Sequence, residues 1–283
     1  MPDANSQPLK GFVALVTGAN AGIGRTTAIE LARRGARVFL AARSEAKTRP
    51  VVDEIARATP HAEPQFLPLD LGDFASIRRC ADDFLRRDLP LGLLVNNAGV
   101  AGQRGITKSG FELAFGINHV GHFLFTNLLL DRMRKSAPAR VITVASRAHY
   151  RPKAFDFEAV RRPTRSVTGL HEYGVSKLAN VLFSAELARR LEGTGVTTYS
   201  LHPGVVASEI WRRVPPPFRW LIKLSMISTE EGAKTTLHCA TSAAAGGESG
   251  LYYDTCQTKR PSTLARDANL ASELWRRSEA WTA

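Results

Sequence analysis

The sequence of 283 residues contains little cysteine, with Cys80, Cys239 and Cys256 as its three members. An odd number of widely spaced cysteines disfavours a disulfide framework and a cysteine-based metal site, and it favours a reducing compartment. The first residues, MPDANSQPLKG, contain no apolar run and do not have the pattern of a secretory signal. Every apolar run is shorter than the roughly 18 residues that a membrane-spanning helix needs. We therefore expect a soluble, cytoplasmic protein.

The sequence also lacks the motifs of nucleic-acid-binding proteins, although its formal net charge is +12. Its arginines come as dispersed pairs, and no zinc-finger spacing or aromatic RNA-binding signature accompanies them. Such pairs are typical of solvated helix faces and helix ends. We expect no nucleic-acid partner, and the excess positive charge suits an anionic cofactor or an acidic membrane surface.

What the sequence does contain is a regular alternation of short apolar runs and helical patterns. The apolar runs predict buried strands at 12–16, 37–42, 65–69, 91–95, 140–145 and 196–201. Helices are predicted after the first strand up to residue 35, and then at 45–58, 73–87, 111–134 and 173–191. This alternation implies right-handed crossovers and a parallel sheet covered on both faces. We predict one α/β domain over residues 1–283, of the Rossmann type with about seven strands, after a flexible segment at 1–10.

Two segments interrupt the alternation, residues 147–170 and residues 205–228. Both follow the carboxyl end of a predicted strand, where open α/β sheets bind ligands. The second segment contains Trp211, Trp220 and three consecutive prolines, and it is too apolar for an ordinary surface loop. It can serve as a lid over an apolar substrate, as an oligomer contact, or as a membrane-touching patch through 210–224.

A glycine-rich loop, Gly18-x-x-x-Gly22-x-Gly24, connects the first strand to the first helix. Glycines there allow a tight turn and a close approach of the backbone to a pyrophosphate, which the helix N-terminus then stabilises. The spacing differs from the G-x-G-x-x-G fingerprint. Its place between a buried strand and a helix nevertheless predicts a dinucleotide site.

The end of the second strand indicates which dinucleotide binds. An NAD-preferring site offers an acid to the adenosine ribose at this point, whereas this strand ends Leu40-Ala41-Ala42-Arg43. Arg43 can pair with a 2′-phosphate, and Arg25 can help it. We therefore predict NADP(H), and the alternative is an arginine that points into solvent beside an NAD(H) site.

Tyr173 and Lys177 are four residues apart on a predicted helix, so they lie one turn apart on the same face. The strand predicted before them is followed by Ser146. A hydroxyl, a phenol and an ammonium form a proton-transfer set that can act on a carbonyl or an alcohol. A positive charge near the phenol lowers its pKa, because it favours the phenolate. Taken alone, the spacing also fits a half-buried aromatic beside a solvated lysine.

Together these residues resemble the short-chain dehydrogenase/reductase family over nearly the whole chain, and within it the retinol dehydrogenase-like branch. The motifs that carry the resemblance, in chain order, are Thr17 to Gly24, Asp70-Leu71, Asn96-Asn97-Ala98-Gly99, Asn118, Ser146, Tyr173 with Lys177, and Pro203-Gly204. The branch is indicated by Asn118-His119-Val120-Gly121-His122-Phe123 and by His202-Pro203-Gly204-Val205-Val206. Ser208 stands where the branch usually has threonine, and it keeps the hydroxyl.

The resemblance implies a catalytic tetrad. Tyr173 would be the general acid in reduction and the base in oxidation, and Lys177 would bind the nicotinamide ribose and lower the pKa of Tyr173. Ser146 would hydrogen-bond the substrate oxygen, and Asn118 would hold a water that links Lys177 to solvent. His119 and His122 are expected to be structural. The expected cofactor contacts are Gly18, Asn20, Gly22, Ile23, Gly24, Arg43, Asp70, Leu71, Asn97, Ala98, Gly99, Tyr173, Lys177, Pro203, Gly204, Val206 and Ser208.

The expected function is that of an NADP(H)-dependent oxidoreductase that moves a hydride between the nicotinamide and an alcohol or carbonyl. The apolar 205–228 segment suggests a lipophilic substrate such as a retinoid, a steroid, a fatty aldehyde or a polyketide. The alternatives are an NAD(H)-preferring enzyme with the same tetrad and a non-catalytic dinucleotide-binding regulator. The resemblance also implies a homodimer or homotetramer formed through the long helices.

Overall fold

A computed structural model describes residues 8–204 and 227–283, and within them eight strands form one sheet in the order β3-β2-β1-β4-β5-β6-β7-β8. The strands are β1 (Val13–Thr17), β2 (Arg37–Ala42), β3 (Gln65–Pro68), β4 (Leu93–Asn96), β5 (Ala139–Val144), β6 (Val196–His202), β7 (Leu251–Asp254) and β8 (Gln257–Thr258). All neighbouring pairs are parallel except β7 and β8. The predicted Rossmann-type fold is confirmed.

The longer helices alternate with these strands as predicted. They are α1 (Gly22–Arg33), α2 (Glu45–Ala58), α3 (Phe74–Leu85), α4 (Leu113–Lys135), α5 (Leu170–Arg190), α6 (Thr229–Thr241) and α7 (Ala268–Thr282). Asp73 caps α3 by accepting the N–H of Ala75, as its position before the helix predicts. Residues 147–169, nearly all of the predicted 147–170 interruption, form an irregular segment with two short 3₁₀ turns, Arg147–Tyr150 and Ala159–Arg161.

Helices cover both faces of the sheet, which explains why the strands read as continuous apolar runs. Along β1, Ala14 and Val16 belong to the core shared with α1, α2 and α6, whereas Val13 and Leu15 belong to the core shared with α3, α4 and α5. Both cores are built mainly of aliphatic and aromatic side chains that are fully buried. The sheet is therefore rigidly held on both sides, and its carboxyl edge can position loops precisely.

Helix α4 changes its hydrogen-bonding pattern along its length. It starts as an α-helix (Leu113–Phe115), continues as a π-helical turn (Gly116–Val120) and returns to an α-helix (Gly121–Lys135). Its most apolar 18-residue window has a mean hydropathy of 1.3 and is 78% buried inside the fold, as expected of a core helix. The π-helical turn is notable because such turns are frequent at functional sites.

Several of the arginine pairs lie on helix faces or at helix ends, as predicted. Pairs of adjacent arginines share one glutamate three and four residues earlier on the same helix, which is the spacing that brings side chains together. These sets are Arg33 and Arg34 with Glu30, Arg189 and Arg190 with Glu186, and Arg276 and Arg277 with Glu273.

The C-terminal helix α7 covers part of the long helices α4 and α5. Trp275 stacks on Phe183 with ring centroids 5.9 Å apart, and it meets the edge of Phe123 at 4.9 Å. On the same helix, Ser278 contacts His119 of α4. The face through which we expected the chain to form oligomers is thus partly covered by the chain itself.

Candidate active site

The carboxyl ends of β1, β4, β5 and β6 lie at one edge of the sheet and bring the predicted site residues together. Gly99, which follows β4 and is a predicted cofactor contact, lies against two of the predicted catalytic residues. A Cβ atom at Gly99 would lie 3.1 Å from Asn118 Oδ1 and 3.6 Å from Lys177 Nζ. A Cβ atom at Gly18 would lie 2.9 Å from Ala98 Cα, so the glycine loop packs against the same turn.

The glycine loop has the shape that a pyrophosphate needs. Gly18 (φ +68°) and Gly22 (φ +55°) adopt left-handed backbone conformations, which glycine adopts without strain. A Cβ atom at Gly24 would lie 2.4 Å from both Asn97 Nδ2 and the carbonyl oxygen of Gly18, so a side chain does not fit there. Ala21 precedes α1 and, as an alanine, offers no side chain to cap it. The first N–H groups of α1 therefore suit an anion, and the loop fits a dinucleotide.

Thr17, the last residue of β1, ties this loop to the turn after β4. Its Oγ1 accepts the backbone N–H groups of Asn97 and Ala98, both at 3.0 Å. In return, Asn97 Nδ2 donates to the backbone carbonyl of Thr17 at 2.8 Å. The two sides of the predicted cofactor site are thus joined by three hydrogen bonds.

Arg43 lies next to the glycine loop, at the end of β2. The N–H of Gly18 donates to the carbonyl of Ala41 at 2.8 Å, which places the loop beside the end of that strand. The Arg43 side chain is exposed, and the following residue, Ser44, caps α2. The predicted contact of Arg43 with a 2′-phosphate stays a prediction.

Arg25, which was expected to help Arg43, has a carboxylate partner in this structure, and its help at a phosphate stays a prediction. Its guanidinium pairs with Glu54 of α2 at 2.5 Å, because α1 and α2 pack side by side and the carboxylate faces it.

The two remaining residues of the loop that were predicted to contact the cofactor, Asn20 and Ile23, are half-buried, and Ile23 packs against the core.

Asp70 and Leu71 shape the turn after β3. Asp70 Oδ1 accepts the N–H of Gly72 at 2.9 Å. Leu71 packs against Gly121, because a Cβ atom on Gly121 would lie 2.3 Å from the carbonyl oxygen of Leu71. These contacts explain the conformation of the turn. The predicted contact of both residues with adenine stays a prediction.

Lys177 is buried beneath the site with its ammonium fixed to the sheet. Its Nζ donates to the carbonyl of Val144, the last residue of β5, at 2.7 Å, and Asn180 Nδ2 donates to the same oxygen at 3.3 Å. Burial lowers the pKa of Lys177 to about 7, because desolvation disfavours the charged form. The Nζ lies 5.7 Å from the ring centroid of Tyr173.

The Ser146 hydroxyl lies next to the Tyr173 hydroxyl. Burial raises the pKa of Tyr173, whereas the neighbouring Ser146 and the positive charge of Arg151 lower it. We expected Lys177 to lower this pKa, and the net pKa is instead above the ordinary value. Ser146 Oγ also accepts the N–H of Ala148 at 3.1 Å, which orients the hydroxyl. Arg151 was not predicted from the sequence, since it lies in the irregular 147–170 segment, where no periodic pattern indicates what it faces.

Asn118, on the π-helical turn, links the loop after β4 to the catalytic helix. Its Oδ1 accepts the N–H of Val100 at 2.8 Å, and its Nδ2 donates to the carbonyl of Val100 at 3.0 Å. Nδ2 also donates to Ser176 Oγ at 2.9 Å, and that hydroxyl donates to the carbonyl of Tyr173 at 2.8 Å. The predicted role of Asn118 in holding a water stays a prediction.

The segment after β6 is described up to Gly204. Pro203 and Gly204 are half-buried, and Gly204 has a φ of +90°. This left-handed backbone conformation explains why the position is a glycine, and a Cβ atom there would also lie 2.3 Å from Ile227 Cδ1. Val206 and Ser208 lie outside the described residues, as do residues 1–7 of the predicted flexible start and the apolar 210–224 patch.

Comparison with known proteins agrees with this geometry. Residues 12–157 match the short chain dehydrogenase family. Human retinol dehydrogenase 12 is 45% identical, over 94% of this chain and 85% of its own length. A crystal structure of a protein from Mycobacterium paratuberculosis is similar with a TM-score of 0.79 and 32% identity, covering 99% of this chain and 96% of that chain. The Pseudomonas aeruginosa RhlG/NADP active-site complex is similar with a TM-score of 0.72 and 26% identity, covering 96% of this chain and 100% of that chain.

Proposed function

The chain belongs to the short-chain dehydrogenase family, in its retinol dehydrogenase-like branch, and from that premise we propose that it moves a hydride between NADP(H) and an alcohol or carbonyl of a lipophilic molecule. One observation carries the proposal. The pair of Ser146 and Tyr173, with Lys177 beneath it, adjoins the glycine loop through Gly99. A non-catalytic regulator has no use for this intact set.

The bound nicotinamide would supply the hydride donor or acceptor. Reduction of a carbonyl also consumes a proton, and Tyr173 gives it to the carbonyl oxygen, since its raised pKa keeps the phenol protonated at neutral pH. Ser146 hydrogen-bonds the same oxygen and stabilises its developing charge. The charge of Arg151 makes the resulting phenolate less costly, and Lys177, with a pKa of about 7, is suited to return the proton. Oxidation of an alcohol uses the same groups in reverse.

The preference for NADP(H) is supported by Arg43 and by the lack of a carboxylate in the sequence Leu40-Ala41-Ala42-Arg43 that ends β2. The similar RhlG structure is described as a complex with NADP. An exposed guanidinium adds a charge-assisted hydrogen bond to a 2′-phosphate, whereas NADH has no group at that position. The runner-up is an NAD(H)-preferring enzyme with the same catalytic residues.

The preference is tested by changing Arg43 to alanine. We expect Arg43→Ala to raise the KM for NADPH by about tenfold, the loss of one charge-assisted hydrogen bond, and to leave the KM for NADH within about twofold. Arg57→Ala, which removes another exposed cation at the far end of α2, is the matched control and should change neither. Equal effects of Arg43→Ala on both cofactors would dispose of the 2′-phosphate contact.

A lipophilic substrate is supported by the similarity to human retinol dehydrogenase 12 and by the apolar composition of residues 205–228. The proposed classes are retinoids, steroids, fatty aldehydes and polyketides. Turnover of aldehydes and ketones of graded hydrophobicity, retinal among them, tests this. Faster turnover of the larger apolar carbonyls supports the proposal, and a preference for small polar carbonyls refutes it.

We further propose one catalytic domain over residues 1–283 that works in the cytoplasm and can touch a membrane peripherally through 210–224. An apolar segment with aromatic residues, which follows β6 in the sequence, would let a lipophilic molecule enter from a bilayer. Sedimentation with lipid vesicles tests this contact, and a purified protein that does not bind vesicles would refute it.

A further inference from the structure

Two histidines lie one turn apart on α4, and both are 1% exposed, yet their surroundings differ. His119 lies among Phe115, Phe123 and Phe183, and its Nε2 is 3.2 Å from the hydroxyl of Ser278 on α7. His122 instead contacts Thr17, the last residue of β1, which adjoins the glycine loop. The pair offers a natural comparison between a histidine of the core and one that contacts the site.

The ring of His122 is fixed by two hydrogen bonds. Its Nδ1 lies 3.0 Å from the carbonyl oxygen of Asn118, and its Nε2 lies 2.9 Å from Thr17 Oγ1. A carbonyl oxygen can only accept, so Nδ1 carries the proton and Nε2 is the acceptor. The pKa of His122 falls to about 4, because burial and the charge of Lys177 lower it by more than the hydrogen bond to Asn118 raises it, so the ring is neutral at physiological pH.

The Thr17 hydroxyl completes this arrangement. Its oxygen already accepts the N–H groups of Asn97 and Ala98, which occupy both lone pairs, so its proton must go to an acceptor. The nearest acceptors are His122 Nε2 at 2.9 Å and the carbonyl of Val95 at 3.3 Å. The distance to His122 Nε2 is the shorter of the two. With this hydrogen bond, the Thr17 hydroxyl and both ring nitrogens of His122 all have partners.

We propose that His122 is a positioning residue of the cofactor site, which acts through Thr17 to hold the Asn97–Ala98 turn against the glycine loop. The inference rests on the proposed binding of a nicotinamide dinucleotide. Without His122, the Thr17 hydroxyl turns to Val95, and its lone pairs no longer point at the two N–H groups of the turn. That turn touches Gly18 and Gly24, so its displacement changes the cradle where the cofactor binds.

The first test measures the Kd of the purified full chain for NADPH and for NADH by fluorescence titration. We expect His122→Phe to raise both Kd values about tenfold, which corresponds to the loss of one buried hydrogen bond. His122→Gln places an amide oxygen near Thr17 and should restore most of the affinity. His119→Phe is the matched control, equally buried on the same helix, and it should leave both Kd values within about twofold.

A double-mutant cycle with Thr17→Val tests whether His122 acts through Thr17. If it does, adding His122→Phe to Thr17→Val should not raise the Kd further, because the contact is already lost. Additive effects would overturn the proposal, and so would a His122→Phe protein that binds within twofold of the wild type. Equal weakening by His119→Phe would also overturn it, because core damage alone would then explain the loss. A wild-type protein that binds neither cofactor would instead refute the proposed function.

Discussion

The ammonium of Lys177 is buried away from solvent, and its desolvation lowers the stability of the folded chain. The proposed chemistry requires the ammonium at this position. The pKa of Lys177 falls from the ordinary 10.5 to about 7 on folding. The unfolded chain therefore binds more protons than the folded chain between these two values, and the stability of the folded chain rises with pH across this window. Below pH 7 the full cost of the buried charge is present.

Lys177→Met removes that cost. We expect it to raise the free energy of unfolding at pH 7 by about 1–3 kcal/mol, because the buried charge is gone and Asn180 still donates to the carbonyl of Val144. Turnover should fall strongly. The gain should shrink towards about pH 9.5, because the wild-type lysine is then neutral in the folded state. Urea unfolding at both pH values measures it. A Lys177→Met protein less stable than the wild type at pH 7 would contradict the assignment of a costly buried charge.

At the scale of single residues, local spacing was a good guide and distant contacts were not. Tyr173 and Lys177 are predictable because four residues on a helix bring two side chains together. The bond between Thr17 and His122 joins residues 105 positions apart, and no local pattern indicates it. The pairing of Arg25 with Glu54 depends likewise on how two helices pack, so the sequence suggested a different partner for Arg25.

At the scale of elements, the start of α4 holds a buried carboxylate that the proposed chemistry does not use. Glu112 is 2% exposed, accepts the N–H of Phe115 at 2.8 Å and hydrogen-bonds the hydroxyl of Thr164. Burial raises the pKa of Glu112 above the ordinary 4.5, so the folded state disfavours its charged form. Below pH 4.5 the carboxyl is protonated in the folded and the unfolded state, so its burial does not lower the stability of the fold. As the pH rises above that value, the loss of stability grows.

Glu112→Gln keeps the acceptor for Phe115 and removes the charge. We expect it to raise the melting temperature at about pH 7.5 and to have little effect at about pH 4. Glu279→Gln, on the exposed side of α7, should change neither. A Glu112→Gln protein that melts below the wild type at about pH 7.5 would show that the ionised carboxylate is the stabilising form.

Strands that coincide with a continuous apolar run were predictable from the sequence. Elements that depend on contacts with distant parts of the chain were not. The six predicted strands are present with ends shifted by no more than two residues. The strands β7 and β8 were not predicted, because Leu251-Tyr252-Tyr253-Asp254 ends on a charged residue after a short apolar run, and Gln257-Thr258 contains two polar residues only. The sequence predicts ordinary helix where α4 has its π-helical turn, since the contact of Asn118 with Val100 that accompanies the turn joins two separate parts of the chain.

At the scale of the whole molecule, α7 joins the end of the chain to the helix that carries Tyr173 and Lys177. Trp275 is 4% exposed, stacks on Phe183, and lies under the guanidinium of Arg190 at 4.4 Å. A homodimer or homotetramer built on α4 and α5 stays a prediction, and its interface would have to include or go around α7.

Trp275→Ala tests how strongly α7 supports the fold. We expect it to lower the free energy of unfolding by about 3–5 kcal/mol, because it leaves a cavity between α7 and α5. Trp281→Ala, at a half-buried position near the end of the same helix, should cost clearly less. Denaturant unfolding of both variants measures the difference, and equal losses would mean that the stack on Phe183 contributes nothing special.

Hydride transfer to a carbonyl carbon defines the proposed reaction, and one isotope experiment tests it directly. The purified protein is given NADPH deuterated at both C4 positions together with the best carbonyl of the panel, and the alcohol product is examined by mass spectrometry. We predict one deuterium on the carbinol carbon, and we predict that Tyr173→Phe still binds NADPH but loses most of its turnover. An alcohol without deuterium at that carbon, or a Tyr173→Phe protein with near-wild-type kcat, would contradict the proposed mechanism.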